Sequence, residues 1–397
     1  MDESYEVVPL PARITGLVGD RLTVPTHVTP AGGQTTHPSV LFFPDGWHGF
    51  EYWMAHTPYP AGNDDHEDPN IVVSHDGITW VVPPGLTNPI DDQSGQPAYN
   101  SDVDLKLGPG DVLYLFWRTF DPNAVGGEEQ LYYSTSVDGV TWAPKIRYYQ
   151  ANMATLRMVS PTLVLDDDHW VLWAVDAVPS PNRVVRLVSA TLDPAGAWTA
   201  PATVSVGTMQ PGKEPWHLYV TRQAGRYVGL LNDCTTGSSG AAGDLLFLSS
   251  VTGTSFANSG KTVIPRVRAG EHDQLYRAAL VPAYEEGVLG FRVWYAGWRT
   301  TGPVWNVYRT WIGPQSPAAG ELHPPASIAP GGFAAIPVTF PAGTFTTPPH
   351  VDVSTDSTRL TLGSRNITAT GFELLASNWT TAAVSTAAWL YWGATPR

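Results

Sequence analysis

The sequence predicts an all-β protein, a five-bladed β-propeller followed by a small β-sandwich. The main observation is a repeated phrase: Ser74–Trp80 recurs almost unchanged as Ser136–Trp142, and each copy follows a short apolar run. Two weaker copies occupy Ser189–Trp198 and Ser249–Phe256. The spacing of about 60 residues is typical of a propeller with one four-stranded sheet per repeat.

Each phrase reads Ser-x-Asp-Gly-x-Thr-Trp, the pattern of an Asp-box hairpin. The aspartate side chain caps the turn backbone, the glycine supplies a positive φ, and the tryptophan fills the gap between neighbouring sheets. We therefore expect Asp76 and Asp138 to be structural residues at the far ends of their strands.

The composition agrees with many short strands joined by turns, because the 397 residues include 38 Gly, 36 Pro and 16 Trp. The formal net charge of −14 argues against nucleic acid or an anionic membrane as partner. The N-terminal residues Met1–Glu6 lack the basic and apolar regions of a signal peptide. The single cysteine, Cys234, excludes an internal disulfide and is expected to be a buried thiol.

Five repeats can be superposed over residues 1–312, each with an inner strand, an aromatic second strand, a strand that ends at the Asp box and an outer strand. The fifth repeat lacks an outer strand after Ile312. We predict that the N-terminal segment Arg13–Leu17 supplies it and closes the ring, which would protect an exposed sheet edge.

Residues 313–331 are rich in proline and glycine and are predicted to be a linker. Residues 332–397 contain alternating apolar runs typical of a compact β-sandwich. Since this unit is small for independent stability, it is expected to form a homotrimer or to lean on neighbours.

The starts of the inner strands should ring one mouth of the central channel, where side chains converge on a ligand site. Residues at those starts are His37, Asp102, Asp104, Ser160, Glu214, His217, His272, Asp273, Tyr276 and Arg277. The loop between the second and third strands of the first repeat adds an acidic run that includes Glu67. Trp47, Trp216 and Trp298 are candidates to stack on sugar rings.

The propeller resembles the five-bladed glycoside hydrolases of the arabinanase, β-xylosidase and invertase group. It resembles more closely a set of phage and bacterial propellers that share an opening phrase like His37–Trp47 followed by one like Tyr52–Pro60. The C-terminal unit resembles H-type lectin-like domains of phage tail proteins, through Val338–Phe345 and Asn366–Phe372.

The resemblance to furanosidases implies a pair of carboxyl groups for glycoside hydrolysis. By position, the family's acid falls on Glu214, whereas its first-blade and third-blade aspartates fall on His37 and Ser160. Asp102, Asp104 or Glu67 could then act as the base. The expected substrate-binding residues are His37, Glu67, Trp216, His217, Tyr276 and Arg277.

These resemblances imply a phage tail protein, located in the virion tail or outside the cell, that engages a host cell-surface polysaccharide and contacts other tail proteins. Three alternatives stay open: a glycoside hydrolase, a non-catalytic receptor-binding protein, and a structural tail-tip component. No cofactor is expected, and no metal site either, because no His/Cys cluster has metal-ligand spacing in the sequence.

Overall fold

A computed structural model describes residues 20–28, 34–93, 98–123, 127–223, 226–238, 243–264, 273–285, 288–299, 304–313, 318–322, 324–340, 342, 344–355, 360–378, 383–384 and 390–395. The described residues are strands and connecting turns, with short 3-10 turns at Pro60–Gly62, Asp64–His66 and Pro109–Asp111. The chain divides into two compact units: Ile14–Val281 with Arg292–Trp311, and a second that contains Pro282–Phe291 and Ile312–Arg397. Within the described residues, no helix is long and apolar enough to cross a membrane.

The first unit contains the five blades of a β-propeller, except for the ends of three strands of the fifth blade that fall within the second unit. Its strands are β1 (Asp20–Arg21), β2 (Thr35–Trp47), β3 (Phe50–Pro58), β4 (Asn70–Ser74), β5 (Tyr99–Leu107), β6 (Leu113–Asp121), β7 (Glu128–Ser136), β8 (Ile146–Asn152), β9 (Met158–Asp166), β10 (His169–Asp176), β11 (Arg183–Val188), β12 (Ala202–Val204), β13 (Lys213–Gln223), β14 (Arg226–Thr235), β15 (Leu245–Ser250), β16 (Ala257–Ile264), β17 (Gln274–Glu285), β18 (Val288–Arg299) and β19 (Val304–Ile312). The blade sheets are β2-β3-β4, β5-β6-β7-β8, β9-β10-β11-β12, β13-β14-β15-β16 and β17-β18-β19-β1. This confirms the predicted fold class.

The inner strands of blades one to four contact one another in turn, β2 with β5, β5 with β9 and β9 with β13. Hydrophobic cores lie between successive blades: Trp53 and Trp117 belong to one, Phe116 and Trp170 to the next, and Trp173 and Leu218 to a third. The alternation of the strands thus buries both faces of these sheets.

Asp boxes form the turns after β4 and β7, and the first of them also contacts the fifth blade. Asp76 accepts backbone N–H bonds from Ile78 and Thr79 at 2.7 Å each, as the cap in the predicted turn. Gly77 has φ +70°, and its carbonyl accepts a hydrogen bond from the indole of Trp294 in the fifth blade at 2.9 Å. The first box therefore joins the two ends of the ring.

The N-terminal side of the chain supplies the outer strand of the fifth blade, through pairing of Asp20 with Arg309 and Arg21 with Tyr308. The strand predicted at Arg13–Leu17 lies outside the described residues. The first blade differs from the predicted four strands: beyond β4 only an isolated bridge between Val73 and Val81 is formed.

The second unit contains two three-stranded sheets. Its strands are β20 (Ala318–Leu322), β21 (Phe333–Thr339), β22 (His350–Thr355), β23 (Leu360–Arg365), β24 (Gly371–Asn378) and β25 (Leu390–Thr395). The sheets β20-β25-β22 and β21-β24-β23 contribute residues such as Val351, Phe372 and Leu390 to one core. The predicted linker over 313–331 was too long, because β20 lies inside it and pairs with β25.

Candidate active site

Three inner strands begin with the same backbone irregularity. His37, Asp102 and Ser160 have φ values of 53°, 53° and 54°, and the register with the second strand of each blade shifts at that point. A left-handed conformation costs a non-glycine residue about 1–3 kcal/mol, and such strain clusters at functional sites. The bulges re-aim these side chains away from the ladder pattern.

His37, Asp102 and His217 meet in the interior although they come from three blades. The His37 Nε2 atom lies 3.2 Å from Asp102 Oδ1, and His217 Nδ1 lies 3.4 Å from the same oxygen. All three residues are at most 2% exposed. None of these three atoms has a hydrogen-bond partner, which is unusual for buried polar groups.

The other oxygen of Asp102 is firmly held. Its Oδ2 atom accepts a hydrogen bond from Arg118 Nε at 2.8 Å and from the backbone N–H of Ser160 at 3.1 Å. Asp102 therefore directs one free oxygen toward the two imidazoles while its second oxygen is occupied.

The electrostatic environment of the cluster favours neutral imidazoles and an ionised carboxylate. Burial lowers the pKa of His37 well below its usual value and also lowers the pKa of His217. Burial alone would raise the pKa of Asp102, but Arg118 and the imidazoles hold it well below its ordinary value. Two neutral imidazoles thus face one carboxylate.

These groups fit a divalent metal ion. The ligand atoms of His37, Asp102 and His217 all lie within 4.8 Å of one another. Two imidazoles and a carboxylate are a donor set for zinc or another first-row metal with open positions for water or substrate. The Nδ1 atom of His37 lies 2.9 Å from Thr57 Oγ1 and 3.3 Å from Glu67 Oε1, the outer partners that orient a metal-ligating histidine.

Glu67 reaches the cluster from the predicted acidic loop. The Asp64–His66 turn carries it there, and the adjacent Asp68 is anchored by the backbone of Gln93 and the amide of Asn100 at 3.0 Å each. Burial, together with the nearby charge of Asp102, raises the pKa of Glu67 well above its usual range.

Asp104 and Arg277 lie further along their inner strands than the cluster residues and belong to a separate network of hydrogen bonds and ion pairs. Asp104 accepts hydrogen bonds from Ser39 Oγ at 2.9 Å and from the backbone N–H of Leu163 at 2.7 Å. Arg277 Nη2 lies 3.5 Å from Asp104 Oδ1 and donates to the carbonyl of Pro161. These contacts tie four blades together.

Glu214, the predicted acid, makes no contact with the cluster among the described residues. One carboxylate oxygen accepts the backbone N–H of Asn182 and the other that of Gly237, each at 3.0 Å. These hydrogen bonds stabilise a loop connection, and they occupy both oxygens of the Glu214 carboxylate, which the furanosidase resemblance assigned as the catalytic acid.

Aromatic side chains line the fifth-blade side of the cluster. The Tyr276 ring lies 3.8 Å from the His217 ring and 5.0 Å from Trp305, which in turn contacts Tyr59 and Trp298. Trp216 packs edge-on against His217. Trp47 instead packs against Trp53 in the core between two blades, so its predicted role in sugar stacking is wrong.

The sequence pattern predicted that His37, Glu67, Asp102 and His217 belong to the site, but it did not predict that three of them could hold a metal ion. Its expectation of no metal site rested on spacing along the chain, whereas the fold brings these residues together from separate blades. Arg118 was also missed, although an arginine in an otherwise apolar central strand needs a buried partner. His272 lies outside the described residues, and Asp273 donates its backbone N–H to the carbonyl of Trp298.

Fold and site together define a propeller with a buried His-Asp-His cluster at the inner strand starts. No protein-family model matches the chain. The chain is 28% identical over 315 residues to an A type blood N-acetyl-α-D-galactosamine deacetylase from Flavonifractor plautii. That alignment covers 67% of this chain and 40% of the relative, so the match spans less than half of the relative's length.

Among solved structures, an N-acetylgalactosamine deacetylase from F. plautii in complex with blood group B trisaccharide superposes with a TM-score of 0.67 at 22% identity. The alignment covers 76% of this chain and 95% of that one, which shows a shared fold. The catalytic domain of a GH62 α-L-arabinofuranosidase from Coprinopsis cinerea aligns with a TM-score of 0.48 at 11% identity, over 74% and 97% of the two chains.

Proposed function

We propose that the propeller is a metal-dependent hydrolase that removes the acetyl group from an N-acetylated amino sugar in a glycan. The observation that carries this proposal is the set of free ligand atoms on His37, Asp102 and His217. The relative from F. plautii, named as a deacetylase of such a sugar, supports the choice of bond.

The chemistry assigned to this site is amide hydrolysis. A divalent metal ion, when bound there, would polarise the acyl oxygen and lower the pKa of a water molecule. His37, Asp102 and His217 would hold the ion. Water adds its oxygen to the acyl carbon, the carbon–nitrogen bond breaks, and the products are acetate and the free amine of the sugar.

Glu67 is the proposed proton carrier of this reaction. Burial and then the nearby charge of Asp102 raise its pKa, which favours the protonated carboxyl group, and Glu67 Oε1 lies at the edge of the cluster, 3.3 Å from His37 Nδ1. The departing nitrogen requires a proton, and a positioned carboxylic acid that supplies one typically contributes about 10²–10⁴-fold in rate.

Glycoside hydrolysis is the less favoured reading. It requires one carboxyl group to protonate the leaving oxygen and a second to act from the other side. Glu214, the acid assigned by resemblance, has both oxygens bound by backbone N–H groups instead.

We also propose where the protein acts and what it contacts. The opening phrase and the C-terminal unit resemble phage tail components, so we place the protein in the virion tail or outside the cell, where it acts on a host cell-surface polysaccharide. Its C-terminal sandwich would bind glycan in the manner of an H-type lectin domain, contact other tail proteins and form a homotrimer.

The test is incubation of the protein and Zn²⁺ with an oligosaccharide that ends in N-acetylgalactosamine and with bacterial surface polysaccharides, each with and without a chelator. Deacetylation releases acetate and exposes an amine while the sugar chain keeps its length. New reducing ends would instead indicate a glycoside hydrolase, and binding without either product would indicate a receptor-binding protein. The variant His217→Gln should abolish acetate release.

A further inference from the structure

We infer that Arg118, with Glu129 behind it, is a positioning residue that fixes Asp102 as a one-oxygen metal ligand and thereby sets the affinity of the site for metal. This inference rests on the proposed function. It concerns residues outside the ligand set, which neither the comparisons nor the sequence pattern assign to the site.

The guanidinium of Arg118 makes three directed contacts and is nearly completely buried. Its Nε donates to Asp102 Oδ2 at 2.8 Å, its Nη1 to Glu129 Oε1 at 2.8 Å and its Nη2 to Ser101 Oγ at 2.7 Å. A planar fork held at three points has little freedom to rotate, and the oxygen bound to it has little freedom either.

Glu129 anchors the arginine in turn. It is fully buried on β7, and its second oxygen accepts the backbone N–H of Met158 at the start of the third blade's inner strand. Arg157 adds a contact at 3.5 Å. The chain Met158, Glu129, Arg118, Asp102 therefore links the backbone of one blade to a carboxylate on its neighbour.

The two oxygens of the Asp102 carboxylate therefore have different roles: one is held by protein groups and the other can bind a metal ion. Oδ2 is occupied by Arg118 and by the Ser160 N–H, whereas Oδ1 has no hydrogen-bond partner and lies near both imidazoles. Without the arginine, the carboxylate could rotate toward bidentate contact or away from the histidines. Loss of an outer partner of a metal ligand typically costs about 10–100-fold in metal affinity.

Charge and geometry predict opposite effects, which makes the inference testable. A cation 2.8 Å from a metal-ligating carboxylate repels a divalent metal, so its removal should tighten binding if charge alone matters. If positioning dominates, Arg118→Met should weaken binding. Arg118→Lys, which keeps the charge but lacks the fork, should weaken it too.

The experiment measures Zn²⁺ affinity of the full chain by competition with a chromophoric chelator, and the visible spectrum of the Co²⁺-loaded protein. We expect both Arg118 variants to lose about 10–100-fold in affinity and to show an altered Co²⁺ spectrum. Arg183→Lys is the matched control, because Arg183 holds the buried Asp176 at 3.0 Å yet touches none of the three ligands. Its affinity and spectrum should equal those of the wild type.

The milder variant Glu129→Gln keeps the shape of the anchor and should lose less affinity than Arg118→Met, which guards against a folding defect in the stronger variant. Unchanged or tighter metal binding in both Arg118 variants, with a wild-type spectrum, would overturn the inference while leaving the metal site intact. A wild-type protein that binds neither Zn²⁺ nor Co²⁺ would overturn both the inference and the proposed function.

Discussion

Replacement of Gly77 by alanine should measure how strongly the first Asp box closes the ring. An added Cβ at Gly77 would lie 2.8 Å from Trp294 Cζ2, and the residue has φ +70°. Trp294 is fully buried and donates its indole N–H to the Gly77 carbonyl, so neither group can withdraw freely.

The expected destabilisation has two parts. A left-handed backbone costs an L-residue about 1–2 kcal/mol. Overpacking against a rigid core side chain adds about 1–3 kcal/mol. The sum for Gly77→Ala is roughly 2–5 kcal/mol in the free energy of unfolding.

Gly110→Ala is the matched control for this prediction. Gly110 has nearly the same φ, +71°, but no atom lies within 4 Å of its added Cβ. It should therefore show the backbone cost alone. Urea unfolding followed by tryptophan fluorescence measures both variants, and equal losses for the two would refute the claim that the Gly77–Trp294 contact closes the ring.

Three further predictions concern His56, Asp76 and Glu214. Burial lowers the pKa of His56 to about 3, so below pH 6.5 the unfolded chain takes up a proton that the folded chain excludes. The free energy of unfolding should therefore fall by up to about 1.4 kcal/mol per pH unit between pH 6.5 and 3. Urea titrations at pH 7 and 5 should show a smaller fall for His56→Gln than for the wild type. An equal fall in the two proteins would show that other groups cause the pH dependence. Burial alone would raise the pKa of Asp76, but hydrogen bonds from the backbone N–H groups of Thr79 and Ile78 lower it to about 2. The stabilising effect of the Asp76 carboxylate is therefore present above pH 4 and is lost toward pH 2, so the loss of melting temperature in Asp76→Ala should shrink over that range. A loss that does not depend on pH would contradict the capping role of Asp76. Glu214→Gln should lower the free energy of unfolding by about 1–3 kcal/mol, because the new amide group can no longer accept one of the two backbone hydrogen bonds. Acetate release by this variant should stay within a few-fold of wild type. A folded variant that releases no acetate would instead show that Glu214 takes part in the reaction.

The periodic parts of this fold could be predicted from the sequence. Asp-box phrases and aromatic strands recur at a fixed spacing, so the five inner strands and the positions of His37, Asp102 and His217 followed from superposed repeats. The short strand Ala318–Leu322 was not predictable, because it lies among prolines and glycines and gains its pairing only from β25.

The chemistry of the site was harder to predict for a physical reason. The three candidate metal ligands come from three different blades, so no local spacing along the sequence reveals them. Glu214 sits at an inner strand start as expected, but its carboxylate is bound by loop backbone that the sequence does not place near it. The position of a residue in the repeat thus predicted which strand ends contribute to the site. The chemical role of each residue depended on its side-chain contacts, which the sequence does not reveal.

The most direct test of the central claim is a crystal structure of the protein grown with Zn²⁺, with anomalous data collected at the zinc edge. We predict one strong anomalous peak at about 2.0–2.2 Å from a nitrogen of His37, a nitrogen of His217 and Asp102 Oδ1, with Asp102 Oδ2 still bound to Arg118. A propeller with no anomalous density among these three side chains, or with zinc bound at other residues only, would contradict it.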